Sequence, residues 1–390
     1  MEAGTLKIED IKQRIQNLTP EEALEEIEAG GDFVLLDTRE PHEYAEAHLE
    51  GAKLVPPAEV AEQIDDIVPD TSQRLLVYCR SGNRSARAVH QLEGLGYENV
   101  VNIEGGIVEW QEKGLPVAEA EGMTREQRER YSRHTLLPEV GVEGQIKLLN
   151  AKVLLLGAGG LGSPTALYLA AAGIGTMGIV DDDVVDESNL QRQVIHSTDR
   201  VGVPKTESAK VTINGLNPDV EVIEHRTRLD AENIIDIIKD YDIVVDGADN
   251  FPTRYLLNDA SVRLKIPVVS ASILAFEGQI STFLPFDGPC YRCLYPTPPP
   301  AELAPSCGDN GVLGVMAGVM GLLQANEVIK LVVGIGEPLI GRLLLYDSLG
   351  TRFTELKVRR DPNCPICGPD APETPESEMG VFPDYELFCQ

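Results

Sequence analysis

The chain has 390 residues, 43% of them hydrophobic, and a formal net charge of -30. That length accommodates two or three domains with cores of their own, and that apolar fraction excludes global disorder. The acidic excess runs through both halves, which argues against non-specific nucleic-acid binding and against an anionic membrane surface.

The N-terminus carries acids and no apolar signal core, so no secretory signal is expected. Seven cysteines, four of them in two C-x-x-C pairs, suit metal or thiol chemistry in a reducing, cytoplasmic setting better than a disulfide scaffold. Residues 18–118 read as an α/β unit. Short apolar strands are expected at 33–37 and 75–78, and a helix closed by glycine at 85–94.

Cys79-Arg80-Ser81-Gly82-Asn83-Arg84-Ser85 follows the second of those strands and precedes that helix. Such a loop can aim several backbone N–H groups at one spot, and its arginines add positive charge. Both effects stabilise a thiolate and an anionic group bound to it, such as a persulfide. A buried core cysteine is the bland alternative, but two arginines, two serines and a glycine are poor core neighbours. A phosphatase loop is another. There five residues usually separate cysteine from arginine, whereas four separate Cys79 from Arg84, a narrower cradle.

These residues, with Leu36-Asp37-Thr38-Arg39-Glu40, Glu43-Tyr44, His48-Leu49-Glu50-Gly51-Ala52, Gly105-Gly106 and Trp110, resemble the rhodanese family. The resemblance implies that Cys79 accepts sulfane sulfur and passes it to a nucleophile. It implies that Asp37 and Arg39 brace the loop and that His48 is structural.

Residues 119–129 are polar and acidic, as expected of a linker. A second unit is expected over residues 130–368, and from Lys152 to Val269 its strands and helices alternate, which predicts a Rossmann-like, mostly parallel sheet. Gly157, Gly159, Gly160 and Gly162 form a turn between the first of these strands and its helix. That context suits a nucleotide phosphate facing a helix N-terminus. Asp181 and Asp183 end the next strand, where carboxylates accept ribose hydroxyls. Alone, this pattern also fits an NAD-dependent dehydrogenase. Asn189, Arg192, Gln193 and Lys205 add donors and cations suited to a triphosphate, and Asp249 can hold Mg²⁺ against it.

Arg130-Tyr131-Ser132-Arg133-His134, the glycine turn, Asn189-Leu190-Gln191-Arg192-Gln193, Gly202-x-Pro204-Lys205 and Asp246-Gly247-Ala248-Asp249-Asn250 resemble the ubiquitin-activating superfamily. The closest branch is that of the molybdopterin-synthase and thiamine sulfur-carrier adenylyltransferases. The resemblance implies that ATP·Mg²⁺ is attacked by the C-terminal carboxylate of a small β-grasp protein ending in Gly-Gly. It implies phosphate contacts from Arg192 and Lys205, metal binding by Asp249 and nucleotide contacts from Asn189, Gln193 and Asn250. It also implies a homodimer, with Arg133 reaching the ATP site of the neighbouring subunit.

Cys290-x-x-Cys293 and Cys364-x-x-Cys367 offer four thiolates, the set a structural Zn²⁺ takes; disulfides or an iron–sulfur cluster are the alternatives. Cys307 follows a Pro-rich stretch and precedes a Gly-rich helix. It matches the family's transferable-thiol position, which implies a sulfur relay, against a structural role. The apolar stretch 311–336 is interrupted by Gln324, Asn326, Glu327 and Lys330, so a buried helix is expected there rather than a membrane span. Residues 369–390 form an acidic tail, with no order expected over Pro369–Glu378.

The expected reaction is adenylation of a carrier's terminal glycine, then transfer of persulfide sulfur from Cys79 to give a thiocarboxylate. The sulfur would come from a cysteine desulfurase or thiosulfate. The rivals are the dehydrogenase fused to a thiol domain and a non-enzymatic carrier scaffold.

Overall fold

The computed structural model describes residues 7–119, 122–298, 311–371 and 374–385. The chain divides into two compact units, Met1–Glu143 and Gly144–Gln390.

The first unit has strands β1 (Gln16–Leu18), β2 (Phe33–Asp37), β3 (Ala47–His48), β4 (Lys53–Leu54), β5 (Arg74–Tyr78), β6 (Val100–Ile103) and β7 (Ala118–Glu119). A five-stranded parallel sheet runs in the order β1-β6-β5-β2-β4, while β3 and β7 pair antiparallel to each other. Side chains alternate between the faces of a strand. In β5, Leu75 and Val77 therefore meet helices Val60–Ile67 and Asn83–Gly94, while Leu76 and Tyr78 pack with Ile107 and Trp110 on the other face. Both faces are covered, which is why the run shows no polar alternation.

Part of the expected linker is ordered. Glu119 belongs to β7, and Thr124 caps helix Arg125–Arg130 with a reciprocal bond to Gln127.

The second unit contains β8 (Lys152–Leu156), β9 (Thr176–Val180), β10 (Glu221–His225), β11 (Ile243–Asp246), β12 (Val268–Leu274), β13 (Glu277–Phe283), β14 (Arg342–Asp347) and β15 (Arg352–Lys357). They form an eight-stranded sheet ordered β10-β9-β8-β11-β12-β13-β14-β15. The strands from β10 to β12 are parallel, as expected, and β13, β14 and β15 extend the sheet antiparallel. Val153 and Leu155 face one core, Leu154 and Leu156 the other. Strand order reverses between β8 and β11, and a crevice opens beyond their C-terminal ends.

Helix Gly314–Val333 is the one helix among the described residues long and apolar enough to cross a membrane. It lies against the sheet instead, with Met320, Ala325 and Val328 in the core.

The end of the tail, beyond the stretch expected to lack order, is anchored. Arg263 donates to the carbonyls of Glu378, Met379 and Val381 and lies over the Phe382 ring, and Tyr385 is buried with its hydroxyl 2.6 Å from Asp259 Oδ2. Two aromatic residues and a buried acceptor thus hold the end of the acidic tail against the second unit's own helix Phe251–Leu264.

Candidate functional site

Beyond β8 the chain must turn sharply into helix Gly162–Ala172. Gly157 takes φ +94°, and a Cβ on Gly162 would lie 2.0 Å from the Gly157 carbonyl oxygen, so only glycine fits there. In that helix the Ser163 N–H is taken by the Gly159 carbonyl at 2.9 Å and Pro164 has none, so the backbone donors nearest the crevice are those of the turn residues that line it, Gly159, Gly160 and Leu161.

This crevice is a cavity of about 1140 Å³ lined by Gly157, Gly159, Gly160, Asp181, Asp183, Arg192, Gln193, Lys205, Asp249 and Asn250. Most of the residues expected to bind a nucleotide therefore meet in one place. Gly162 and Asn189 do not line it. Gly162 shapes the turn, and the Asn189 carbonyl accepts from the N–H groups of Arg192 and Gln193, holding both residues. Arg133 lies on the short helix Ser132–Thr135 of the first unit.

Asp181 Oδ2 accepts from the Ala158 N–H at 2.8 Å, and Oδ1 from the Asp183 N–H at 2.9 Å. Burial pushes its carboxyl above the usual range, against the opposing pull of Lys205 and of those N–H groups. Lys205 is almost fully buried, and its ammonium lies 2.7 Å from the exposed Asp183 carboxylate. Asp182 is exposed. Gln193 is 4% exposed, and its Oε1 has no hydrogen-bond partner. A buried acceptor of this kind, beside a glycine turn without side chains, fits a site whose ligand supplies the donor.

Two positioning residues escaped the sequence reading. His196 bridges the Ala158 carbonyl oxygen (Nε2, 2.9 Å) and Ser208 Oγ (Nδ1, 2.9 Å). Burial pushes its pKa down to about 4, with Lys205 and Arg200 acting in the same direction and the Ala158 bond opposing, so the ring is neutral at pH 7. Nε2 must then donate to the carbonyl, and Nδ1 accepts from the serine. Arg254, also buried, donates to the carbonyls of Ala248 and Ala271 and lies 3.5 Å from Asp246, securing the loop that carries Asp249. A lone histidine and an arginine within a helix carry no motif; only the fold shows what they hold.

In the first unit Cys79 follows β5 and is 1% exposed. The Cys79 carbonyl accepts from Ile107 N–H at 2.9 Å, and a Cβ on Gly106 would lie 2.2 Å from that same oxygen. Helix Asn83–Gly94 begins at Gly82 without a side-chain cap, directly after Arg80 and Ser81. Thr38 bonds the Tyr78 carbonyl through both N–H and hydroxyl, and Arg39 clasps Asp37 and the Ala47 carbonyl, consistent with a bracing role. His48 stacks on Tyr44 and bonds its carbonyl, as a structural residue would. One expectation changes. Arg84 is held bidentate by Glu43 at 2.7 Å for both bonds, so its charge is largely neutralised by a neighbour on helix Pro41–Glu46. Exposed Arg80 and the uncapped helix end remain for an anion at the sulfur.

The cysteines of the two C-x-x-C pairs converge. Their sulfurs lie 3.9 Å (Cys290–Cys293), 3.6 Å (Cys290–Cys364) and 3.4 Å (Cys293–Cys367) apart. Four sulfurs about 2.3 Å from a tetrahedral zinc would be spaced by about 3.8 Å. Asp361 N–H donates to Cys293 Sγ at 3.3 Å, and the Gly368 N–H to the Cys364 carbonyl at 2.9 Å, so the backbone supports the knuckle. Cys307 and Cys389 lie outside the described residues.

Residues 131–366 match the ThiF family. The chain belongs to this family. Residues 19–113 match the rhodanese-like domain, so a rhodanese unit and a Rossmann-like adenylyltransferase unit are joined in one chain. A sulfur carrier protein adenylyltransferase of Thermus thermophilus is 49% identical over 68% of this chain and 98% of its own length. The SAMP-activating enzyme E1 of Haloferax volcanii is 52% identical over 62% of this chain and 89% of its own. A probable adenylyltransferase/sulfurtransferase, MoeZ of Mycobacterium tuberculosis, is 49% identical over 70% and 68%. Among solved structures, Escherichia coli MccB crystallised with ATP has a TM-score of 0.55 at 27% identity, covering 64% of this chain and 77% of that one. Membership of the ThiF family and the rhodanese match together set the dehydrogenase reading aside.

Proposed function

We propose that this chain is an ATP-dependent adenylyltransferase and sulfurtransferase. It activates the C-terminal glycine of a small β-grasp sulfur carrier ending in Gly-Gly and then converts it to a thiocarboxylate. The observation that carries the reading is the crevice at the β8–β11 reversal, where the glycine turn, Gln193 with its unpartnered buried oxygen, Lys205, Arg192 and Asp249 line one cavity.

Asp181 and Asp183 accept the ribose hydroxyls. The N–H groups of the Gly159–Leu161 turn, with Arg192 and Lys205, balance the phosphates, and Gln193 and Asn250 complete the contacts. Asp249 is the residue that would hold Mg²⁺, which supplies charge neutralisation for the leaving pyrophosphate. The carrier carboxylate is ionised at neutral pH and needs no base. Its oxygen attacks the α-phosphorus, the bond to the β-phosphate oxygen breaks, and acyl-adenylate and pyrophosphate form.

Cys79 takes sulfur from a cysteine desulfurase persulfide or from thiosulfate, releasing sulfite in the latter case. The terminal persulfide sulfur attacks the acyl carbon and AMP leaves with the electron pair. A second thiol, Cys307 or an external one, then attacks the Cys79 sulfur of the acyl disulfide. That thiol and Cys79 are left as a disulfide, and the carrier departs as a thiocarboxylate. Four cysteine ligands at Cys290, Cys293, Cys364 and Cys367 leave Zn²⁺ no open position, so its role is structural. A cytoplasmic homodimer, with Arg133 reaching across to the other subunit's ATP site, completes the proposal.

The test is carrier-dependent exchange of labelled pyrophosphate into ATP. Asp249 is exposed, so Asp249→Ala should leave folding intact while lowering exchange by about 10²-fold or more. Full exchange in this variant would refute the assignment of Asp249.

A further inference from the structure

Behind Cys79 runs a buried polar chain that the sulfur-transfer reading does not use. Parallel pairing of β1 with β6 sets Asn17 beside Asn102, and Asn102 Nδ2 donates to Asn17 Oδ1 at 2.9 Å. Ser85 Oγ lies 2.6 Å from Asn102 Oδ1 and 3.3 Å from Cys79 Sγ. Ser85 and Asn102 are both fully buried.

The direction of this chain follows from its far end. The Asn17 amide nitrogen donates to two carbonyls, Lys12 at 2.8 Å and Ile15 at 3.2 Å, so only its oxygen is left to face Asn102. Asn102 must then present nitrogen to Asn17 and oxygen to Ser85. A hydroxyl has one proton, and the Asn102 oxygen, which can only accept, takes it. Ser85 is left facing the sulfur with a lone pair, so the chain is complete only when Cys79 carries a proton to donate. A deprotonated or sulfur-loaded Cys79 has none. Either Ser85 then faces the sulfur without a bond, or it turns and leaves the Asn102 oxygen buried and unpaired.

We propose that Asn17 and Asn102 are positioning residues which, acting through Ser85, hold the empty Cys79 as a thiol and favour its discharged over its loaded state. The proposal rests on the reading of Cys79 as the sulfur-accepting group. The charged groups around the loop are Arg84 with Glu43 and Glu40, exposed Arg80, the buried Asp37–Arg39 pair, and Glu109 beside Gly105. None of them is altered by the changes below.

The experiment is peptide-resolved alkylation of Cys79 by iodoacetamide in the full-length chain at neutral pH. Asn17→Ala frees the Asn102 amide to turn its nitrogen toward Ser85, whose proton then points at the sulfur, and alkylation should accelerate about tenfold. Loosening of the fold would accelerate alkylation whatever stands at residue 85, so the decisive comparison is Asn17→Ala in a Ser85→Ala background. The relay predicts no further change there. The same acceleration with and without Ser85, or none in Asn17→Ala itself, would overturn the proposal. The assay needs no sulfur donor. It can fail while sulfur transfer through Cys79 stands, and Cys79→Ser tests the latter separately.

Discussion

His196 offers a pH-dependent test of how the nucleotide turn is held. Its pKa is about 4 in the folded chain, against about 6.5 for an exposed histidine. Between these values the unfolded state binds a proton that the folded state does not. Stability therefore rises with pH across this window and is lost as pH falls from 6.5 toward 4. Allowing for solvent screening at the edge of the crevice, the second unit should lose about 1–2 kcal/mol between pH 7 and pH 5 from this group alone. His196→Gln removes the titration. Urea unfolding of both proteins at the two pH values, followed by a probe in the second unit, should show the wild type losing about 1–2 kcal/mol more than the variant. Identical losses would refute a neutral His196 bridging Ala158 and Ser208.

Cys79→Ser should abolish sulfur uptake from thiosulfate and thiocarboxylate formation while leaving carrier-dependent pyrophosphate exchange unchanged; loss of both would contradict a division of labour between the units. Cys364→Ser should reduce bound zinc, read by elemental analysis, from one per chain to well below it, and should lower the melting temperature; unchanged zinc would exclude the four-cysteine site. Tyr385→Phe removes the hydroxyl that Asp259 accepts from and should cost about 1–2 kcal/mol in unfolding experiments, since a buried carboxylate loses a donor. No measurable change would mean that this contact does not hold the tail.

Much of the architecture could be read from residue pattern because the signals are local. The run Lys152–Leu156, the glycines after it and the helix behind them lie within one short stretch, and the two C-x-x-C pairs declare their chemistry by spacing alone. What was not legible depends on partners distant in sequence. Strand β15 is exposed along its whole length and shows no apolar alternation, so only its register with β14 makes it a strand. Glu43 lies 41 residues before Arg84, and nothing in the Cys79 loop announces that its arginine is already paired. Likewise Tyr385 looks like the end of an acidic tail until Asp259, 126 residues earlier, is seen to accept its proton.

Asp259 links regions of the second unit that look independent. Its carboxylate takes two bonds of 2.8 Å from Arg292, one of the two residues between Cys290 and Cys293, and one from Tyr385. The thiol knuckle, helix Phe251–Leu264 and the C-terminal segment are therefore tied at a single carboxylate. A protease nick upstream of Tyr385, or a bulky fusion that pulls the segment away, would free one side of that knot and leave Arg292 to hold the knuckle with one partner fewer. Loss of metal would then follow damage made outside both C-x-x-C pairs, so a preparation trimmed at its C-terminus should be checked for zinc before its activity is interpreted.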